Sequence, residues 1–218
     1  VAGPEIPYFQ QCLARYGQPA LDVACGTGRL LLPYLQAGLD VDGCDISPDM
    51  LARCRDKAAS LGLSPRLYAQ AMHGLDLPRT YKTIFVCGAF GLGGDSQQDV
   101  EALRRFYQYL DPGGVLVLDH HLPYKHPERW QYWVQEQRRR LPEAWPPVGD
   151  RRRAADGSAY ELWTRLVALD PLEQLMTLQI RIEQWRAGQR LAVEEYTLQE
   201  RLYFRNELLR LLAQVGFG

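Results

Sequence analysis

The sequence predicts an α/β protein: a doubly wound, mostly parallel sheet, with an antiparallel β-meander inserted after its fifth strand. Three observations predict it. Over the first 120 residues, short apolar runs alternate with amphipathic helical stretches, the pattern of parallel strands joined by crossover helices. A glycine turn, Cys25-Gly26-Thr27-Gly28, follows the first run and leads into a helix. Further on the period changes: Met176, Leu178, Ile180 and Ile182 alternate with Thr177, Gln179, Arg181 and Glu183, as in a half-buried antiparallel strand.

Each element has its own signal. Ile6, Phe9, Leu13 and Tyr16 recur at helical spacing and predict a lead-in helix over 5–16, with Gly17 suited to the left-handed residue that ends it. Ala20 to Ala24 reads as the first strand, and Leu31, Leu32 and Leu35 mark a helix that stops at Gly38. Val41 to Cys44 is the second strand, closing on Asp45. Ser47 then caps a helix with Pro48 at its first position and Met50, Cys54 and Leu61 facing inward. Strands three and four are expected at 66–70 and 83–87. A helix carrying Val100, Leu103, Tyr107 and Leu110 follows, and the turn Asp111-Pro112-Gly113-Gly114 feeds strand five at 115–118.

His126 to Arg140 reads as one aromatic-rich amphipathic helix. The Pro-rich stretch after it, flanked by Arg138–Arg140 and Arg151–Arg153, reads as solvated linker. Three strands, 160–169, 175–185 and 191–204, are joined by turns at Asp170-Pro171 and Ala187-Gly188. A last helix, 206–215, carries Leu208, Leu211 and Leu212. The expected division is an α/β domain over 1–125 and 205–218, with 126–204 as an inserted lid of one helix and three strands.

Composition excludes several classes. Hydrophobic residues at 46% and charged residues at 23% fit a globular chain, and 25 basic against 26 acidic residues leave a net charge of -1, which argues against a nucleic-acid surface. The five cysteines are odd in number and lack metal-ligand or redox-motif spacing, so no metal site is expected and reduced thiols in a cytoplasm fit best. No apolar run is long enough to span a membrane.

The informative segment is Leu21-Asp22-Val23-Ala24-Cys25-Gly26-Thr27-Gly28-Arg29. Gly26 and Gly28 let the backbone turn sharply and let a ligand approach, and amides at the helix start favour a carboxylate or phosphate. A dinucleotide-binding turn would carry a third glycine where this chain has Leu31, and the phosphate loop of NTPases is absent. Asp45, nineteen residues beyond Gly26, is placed to accept hydrogen bonds from the hydroxyls of a ribose. Asp22 lies within a strand, where a carboxylate needs partners.

These segments, DVACGTGR, DGCDISPDML and LDPGGVLVLD, resemble in order and spacing those of the class I S-adenosylmethionine-dependent methyltransferases of the small-molecule type. The resemblance covers about residues 5–120 and the terminal ELLRLLAQVGFG. It implies a Rossmann-like methyltransferase fold of strand order 3-2-1-4-5-7-6, with S-adenosyl-L-methionine as cofactor. Gly26 and Gly28 would lie beside its methionine part, Asp22 near its cationic end, Asp45 on the ribose, and Ile46 and Met50 flanking the adenine. Ala24, Cys25, Cys87 and Gly88 complete the implied cofactor contacts, the two cysteines as packing residues rather than nucleophiles. Many members carry an acid after strand three that meets the adenine; here Gln70, Ala71 and Met72 stand there, through the Gln70 side chain and backbone amides.

The implied activity is methyl transfer to a nucleophilic N or O, less readily C, of a small molecule. Gly88 and Phe90 would wall the reaction site, His121 or His120 would serve as optional base, and Trp130 and Trp163 would line the substrate pocket. The aromatic set Trp130, Tyr132, Trp133, Tyr160 and Trp163 otherwise reads as core of the insert. The other partners considered are a second copy of the chain and a nicotinamide, the latter in an oxidoreductase that Leu31 disfavours. A non-catalytic module keeping the same fold is a further alternative.

Overall fold

The computed structural model describes residues 3–154 and 157–218. These form two compact units: the first holds the described residues up to Phe90, with Gln97–His120 and Asn206–Gly218, and the second holds Gly91–Ser96 and His121–Arg205.

The first unit is built on five parallel strands, β1 (Ala20–Val23), β2 (Val41–Asp45), β3 (Leu67–Ala69), β4 (Tyr81–Val86) and β5 (Leu110–Leu118), in the order β3-β2-β1-β4-β5. The alternation of strand and helix forces this arrangement, because a parallel neighbour is reached only by a crossover. The order reverses at β1, so the crevice lies beyond the carboxyl ends of β1 and β4. The helices are α1 (Glu5–Tyr16), α2 (Leu31–Gln36), α3 (Pro48–Ser60), α4 (Ser96–Tyr109) and, at the chain's end, α7 (Arg205–Val215). Phe9 and Leu13 of α1, Leu31 and Tyr34 of α2, and Leu51 and Cys54 of α3 pack in one core with Ala20, Val41 and Phe85 of the strands.

Ser47 caps α3 as the sequence predicts, its hydroxyl accepting the Met50 amide at 3.3 Å, with Pro48 in the first turn. The buried stripe of α3 is Leu51, Cys54 and Ala58, however, whereas Met50 and Leu61 are exposed. The inward face therefore runs one residue after Met50, and Met50 is left for another use. In α4 the inward residues are Ala102, Leu103 and Phe106, while Tyr107 is half exposed and Leu110 already belongs to β5. The expected turn at 111–114 is a register irregularity within β5: Tyr81 pairs with Leu110, but Thr83 pairs with Val115.

The second unit is an antiparallel sheet, β6 (Asp150–Arg153), β7 (Ala159–Asp170), β8 (Leu175–Arg186) and β9 (Gln189–Arg201), in sequence order. The expected alternation in β8 holds at Met176 and Leu178, which are buried, but Ile180 and Ile182 are only partly buried and Glu183, expected on the polar face, is buried beside Arg190. β6 is a strand where linker was expected. An arginine run carries no apolar period; β6 is held instead by backbone pairing with β7 and by Arg151, 3.5 Å from Glu161. Residues 91–94 join this unit by running along the far edge: Gly93 N–H donates to Gln199 at 2.8 Å, and Arg201 N–H donates to Gly91 at 2.8 Å.

The long helix expected over 126–140 is broken into α5 (Pro127–Trp130), a 3₁₀ turn at Gln131–Trp133 and α6 (Gln135–Arg138). Val134 is extended between them, at φ -83 and ψ 128. The Arg138 guanidinium fills the place of the lost amides, donating to the carbonyls of Tyr132 at 3.2 Å and Trp133 at 2.6 Å. That break turns Tyr132 into a core of Leu166, Leu169, Met176, Leu178 and Leu202, with Trp133 against it. Tyr160, expected in this core, is 40% exposed and accepts a hydrogen bond from Gln184.

Near the amino end of β2, the fully buried Asp42 carboxylate accepts hydrogen bonds from Arg66 Nε at 2.6 Å, Arg79 Nη2 at 2.7 Å and the Tyr81 hydroxyl at 2.9 Å. Asp40 shares both arginines. A buried carboxylate so surrounded ties β2 to β4 and to the segments that precede β3 and β4. Asp42→Ala leaves the buried Tyr81 hydroxyl without its acceptor, while the partly exposed arginines regain water. We expect a loss of about 3 kcal/mol in urea denaturation, near the lower end for a broken buried pair.

Candidate functional site

The turn after β1 carries the densest group of sequence-predicted residues. Ala24 takes φ 58, unusual for a residue with a Cβ, and Gly26 and Gly28 take φ 55 and 83. A Cβ built on Gly26 would meet nothing within 4 Å, so its face is open to a ligand. At Gly28 a Cβ would come within 2.7 Å of Cys54 Sγ and of Leu32 Cγ. The close approach at Gly28 is thus made by the protein itself, seating α3 against the turn. The helix α2 has only six residues and begins at Leu31, so the anion site expected at its start has little dipole behind it.

Gly26 N–H donates to Asp45 Oδ2 at 2.8 Å, and Ser47 N–H donates to Asp45 Oδ1 at 2.8 Å. The carboxylate closing β2 therefore meets the glycine turn of β1, as the sequence reading requires. Each carboxylate oxygen accepts about two hydrogen bonds, so one position per oxygen is left for a diol. Beside it Ile46 is 71% and Met50 45% exposed, two apolar side chains held out at the rim.

Asp22, in β1, is buried, and its Oδ2 has no hydrogen-bond partner. Burial pushes its carboxyl up from 3.8 to about 8, opposed by the Arg29 charge, raised further by Asp45 and lowered by the Leu31 amide. A bound cation would relieve this group. The thiols of Cys25 and Cys87 are pushed up by burial, that of Cys87 to about 11, which leaves neither poised as a nucleophile.

Other predicted residues are placed as follows. Gln70 spends its side-chain amide on Asp76, accepting the Asp76 N–H at 2.9 Å and donating to the Asp76 carbonyl at 2.9 Å. It braces the loop that holds Ala71 and the 3₁₀ turn starting at Met72, and so leaves ligand contact there to the backbone. Gly88, at φ 66, faces open space. Phe90 is buried and stands edge-on to His120, with ring centroids 6.4 Å apart.

Two residues were not singled out from the sequence. Asp119, at the end of β5, accepts the Gly88 amide and the Cys87 thiol; its position matches that of Asp45 at the end of β2, and that equivalence was the available signal. Arg29 lies 3.5 Å from Glu5 and donates to Cys87 Sγ at 3.5 Å, and its charge acts on Asp22.

In the second unit a cavity of 160 Å³ is lined by His121, Trp133, Leu166, Met176, Glu200 and Leu202, among others. His120 belongs to the first unit and His121 to the second. Trp130 and Trp163 are outside the cavity lining: Trp130 packs on Trp133 and Phe204, and Trp163 fills the space beside Gly149. Among the described residues, no group of His, Cys, Asp and Glu is arranged for a metal, and no helix is long and apolar enough to cross a membrane.

Residues 20–114 match the family model of a methyltransferase domain. Over those residues the chain is similar to methyltransferase domains. A putative methyltransferase of Geobacillus sp. (strain WCH70) is 28% identical over 123 residues, 54% of this chain and 50% of the relative, so the chain matches about half the length of that protein. A solved S-adenosylmethionine-dependent methyltransferase from Clostridium acetobutylicum superposes with a TM-score of 0.69 at 20% identity, covering 96% of this chain and 78% of that one. The sugar N-methyltransferase KedS8 from Streptoalloteichus superposes with a TM-score of 0.72 at 19% identity, covering 97% and 76%. These likenesses show the fold that those methyltransferases share. This crevice has features that fit S-adenosylmethionine: an orphan buried carboxyl group, a carboxylate with acceptor capacity, an open glycine face and two exposed apolar side chains.

The buried acid of this domain gives a pH dependence whose sign is fixed. An acid raised in the folded state is protonated there while the unfolded chain is ionised, so the stability of the ligand-free protein falls as pH rises from about 4 to about 8. Asp22→Asn should flatten that slope, which approaches about 1.4 kcal/mol per pH unit mid-window. Urea midpoints at several pH values measure it, and identical slopes in both proteins would count against the assignment.

Proposed function

We propose that this chain transfers a methyl group from S-adenosylmethionine to a nucleophilic nitrogen or oxygen of a small molecule. The observation that carries the reading is the Asp45–Gly26 hydrogen bond, set beside the unpartnered Asp22 Oδ2 in the crevice where the strand order reverses. Bound there, S-adenosylmethionine supplies a methyl carbon already activated by its sulfonium, so the chain's own share is alignment and exclusion of water.

In this reading Asp45 accepts the ribose hydroxyls, Asp22 faces the cationic methionine end, and Ile46 and Met50 flank the adenine. Charge-assisted hydrogen bonds such as those to Asp45 are worth roughly 1.5–3 kcal/mol each. The Gly88 amide is held by Asp119, which fixes the loop after β4, and Phe90 stands beside it as a wall. An imidazole, His121 or His120, takes the acceptor's proton where one must leave. His121 Nδ1 is 3.7 Å from Glu200, an orientation that leaves its other nitrogen for the acceptor.

A nicotinamide reading does not fit the turn: Leu31, where a third glycine would stand, is wholly buried in the core. Isothermal titration should show Asp45→Ala weakening S-adenosylmethionine binding at least tenfold, and NAD should leave the melting temperature unmoved. An unaltered affinity would remove Asp45 from the site. Once an acceptor is known, His121→Ala and His120→Ala, singly and together, should lower turnover; full activity in the double variant would end the base assignment.

A further inference from the structure

We propose that the cavity of the second unit binds a small molecule with a benzene-sized apolar body and a protonated amine. The binding proposed for this cavity does not depend on the function proposed above. Size sets the apolar part. The cavity measures 160 Å³, close to the roughly 150 Å³ at which a buried apolar cavity accepts benzene. Its floor is Leu166, Leu169, Met176 and Leu202, between 2% and 8% exposed, with Trp133 as a wall. Such a floor gives no hydrogen bonds, so an aromatic or branched aliphatic group suits it and a sugar ring does not.

Charge sets the polar part. Glu200 lines the cavity with its side chain only 12% exposed, and its ion-pair neighbour, His121 Nδ1, is 3.7 Å away, beyond hydrogen-bond reach. A carboxylate so placed is stabilised by a cation brought to it. The nearby arginine does not fill that role: Arg129 Nη1 is turned onto Met176 Sδ at 3.6 Å. The other carboxylate at the cavity, Glu128, is 67% exposed and already faces His126 Nδ1 at 3.3 Å. A ligand ammonium beside Glu200, its apolar body over Met176, completes both halves of the cavity.

The chain has three methionines, Met50, Met72 and Met176, which makes methyl NMR of the full chain a direct test. With carbon-13 methionine methyls, benzylamine should move the Met176 signal and leave Met50 and Met72 in place. Benzyl alcohol and benzoate should bind at least tenfold more weakly. Glu200→Gln, which keeps the side chain's shape, should weaken benzylamine at least tenfold while S-adenosylhomocysteine, read at Met50, binds as before. A Met176 signal unmoved by benzylamine overturns the proposal, as does benzoate or the alcohol binding as tightly as the amine. The comparison of the three probes needs no variant, so it stands even if Glu200→Gln fails to fold. A Met50 signal unmoved by S-adenosylhomocysteine would instead count against the cofactor reading and leave the amine result standing.

Discussion

The hydrogen bond from Gly26 N–H to Asp45 Oδ2 is the constraint on which the first unit's crevice depends. It joins the turn after β1 to the last residue of β2 across nineteen positions of sequence, and both groups must be in place before any ligand arrives. The second oxygen of Asp45 accepts the Ser47 amide, so the same carboxylate also fixes the entry into α3. The orientation of α3 in turn sets Met50 at the rim and Cys54 beneath Gly28. One side chain thus determines the glycine turn, a helix start and the placement of an exposed apolar residue.

Three buried or half-buried carboxylates on adjacent strands show how environment sets role. Asp42 is surrounded by two guanidiniums and a phenol, which satisfies it and makes it structural. Asp45 is held by two amides and keeps acceptor capacity, as suits a neutral hydroxyl ligand. Asp22 alone has an unpartnered buried oxygen, and burial raises it to about 8. An unsatisfied buried group is retained at a cost to stability, and a site that receives a cation is where such a cost has a function. Ala24 at φ 58, two residues on, adds backbone strain at the same point.

Much of the first unit was legible because its signals are local. A Ser47-Pro48 cap, a glycine turn and an acid closing a strand each act within a few residues, and their positions hold in the structure. What was not legible depended on long-range partners. The inward face of α3 was misplaced by taking Met50 as core, whereas the buried stripe is Leu51, Cys54 and Ala58 and Met50 is 45% exposed. The break at Val134 is sustained by Arg138 reaching back to two carbonyls, which no period in 126–140 reveals. Strand β6 is an arginine run made into a strand by the backbone of β7. The bracing role of Gln70 and the grip of Asp119 on Gly88 are likewise contacts across loops, not motifs.

In the second unit the cavity and the core share residues. Leu166, Leu169, Met176 and Leu202 are at once the floor of the cavity and most of the buried cluster beneath the sheet. A change that enlarges the cavity there removes core contacts, and large-to-small changes at such positions typically cost about 2–5 kcal/mol. Glu200, by contrast, is held in β9 by its backbone, through pairing with Met176 and the bridge to Leu92, so its side chain is free to vary without breaking the sheet. Shape is therefore tied to the stability of this unit while charge is not. Selectivity among ligands of one size is most easily altered through Glu200, and the apolar floor is the part that the fold itself holds constant.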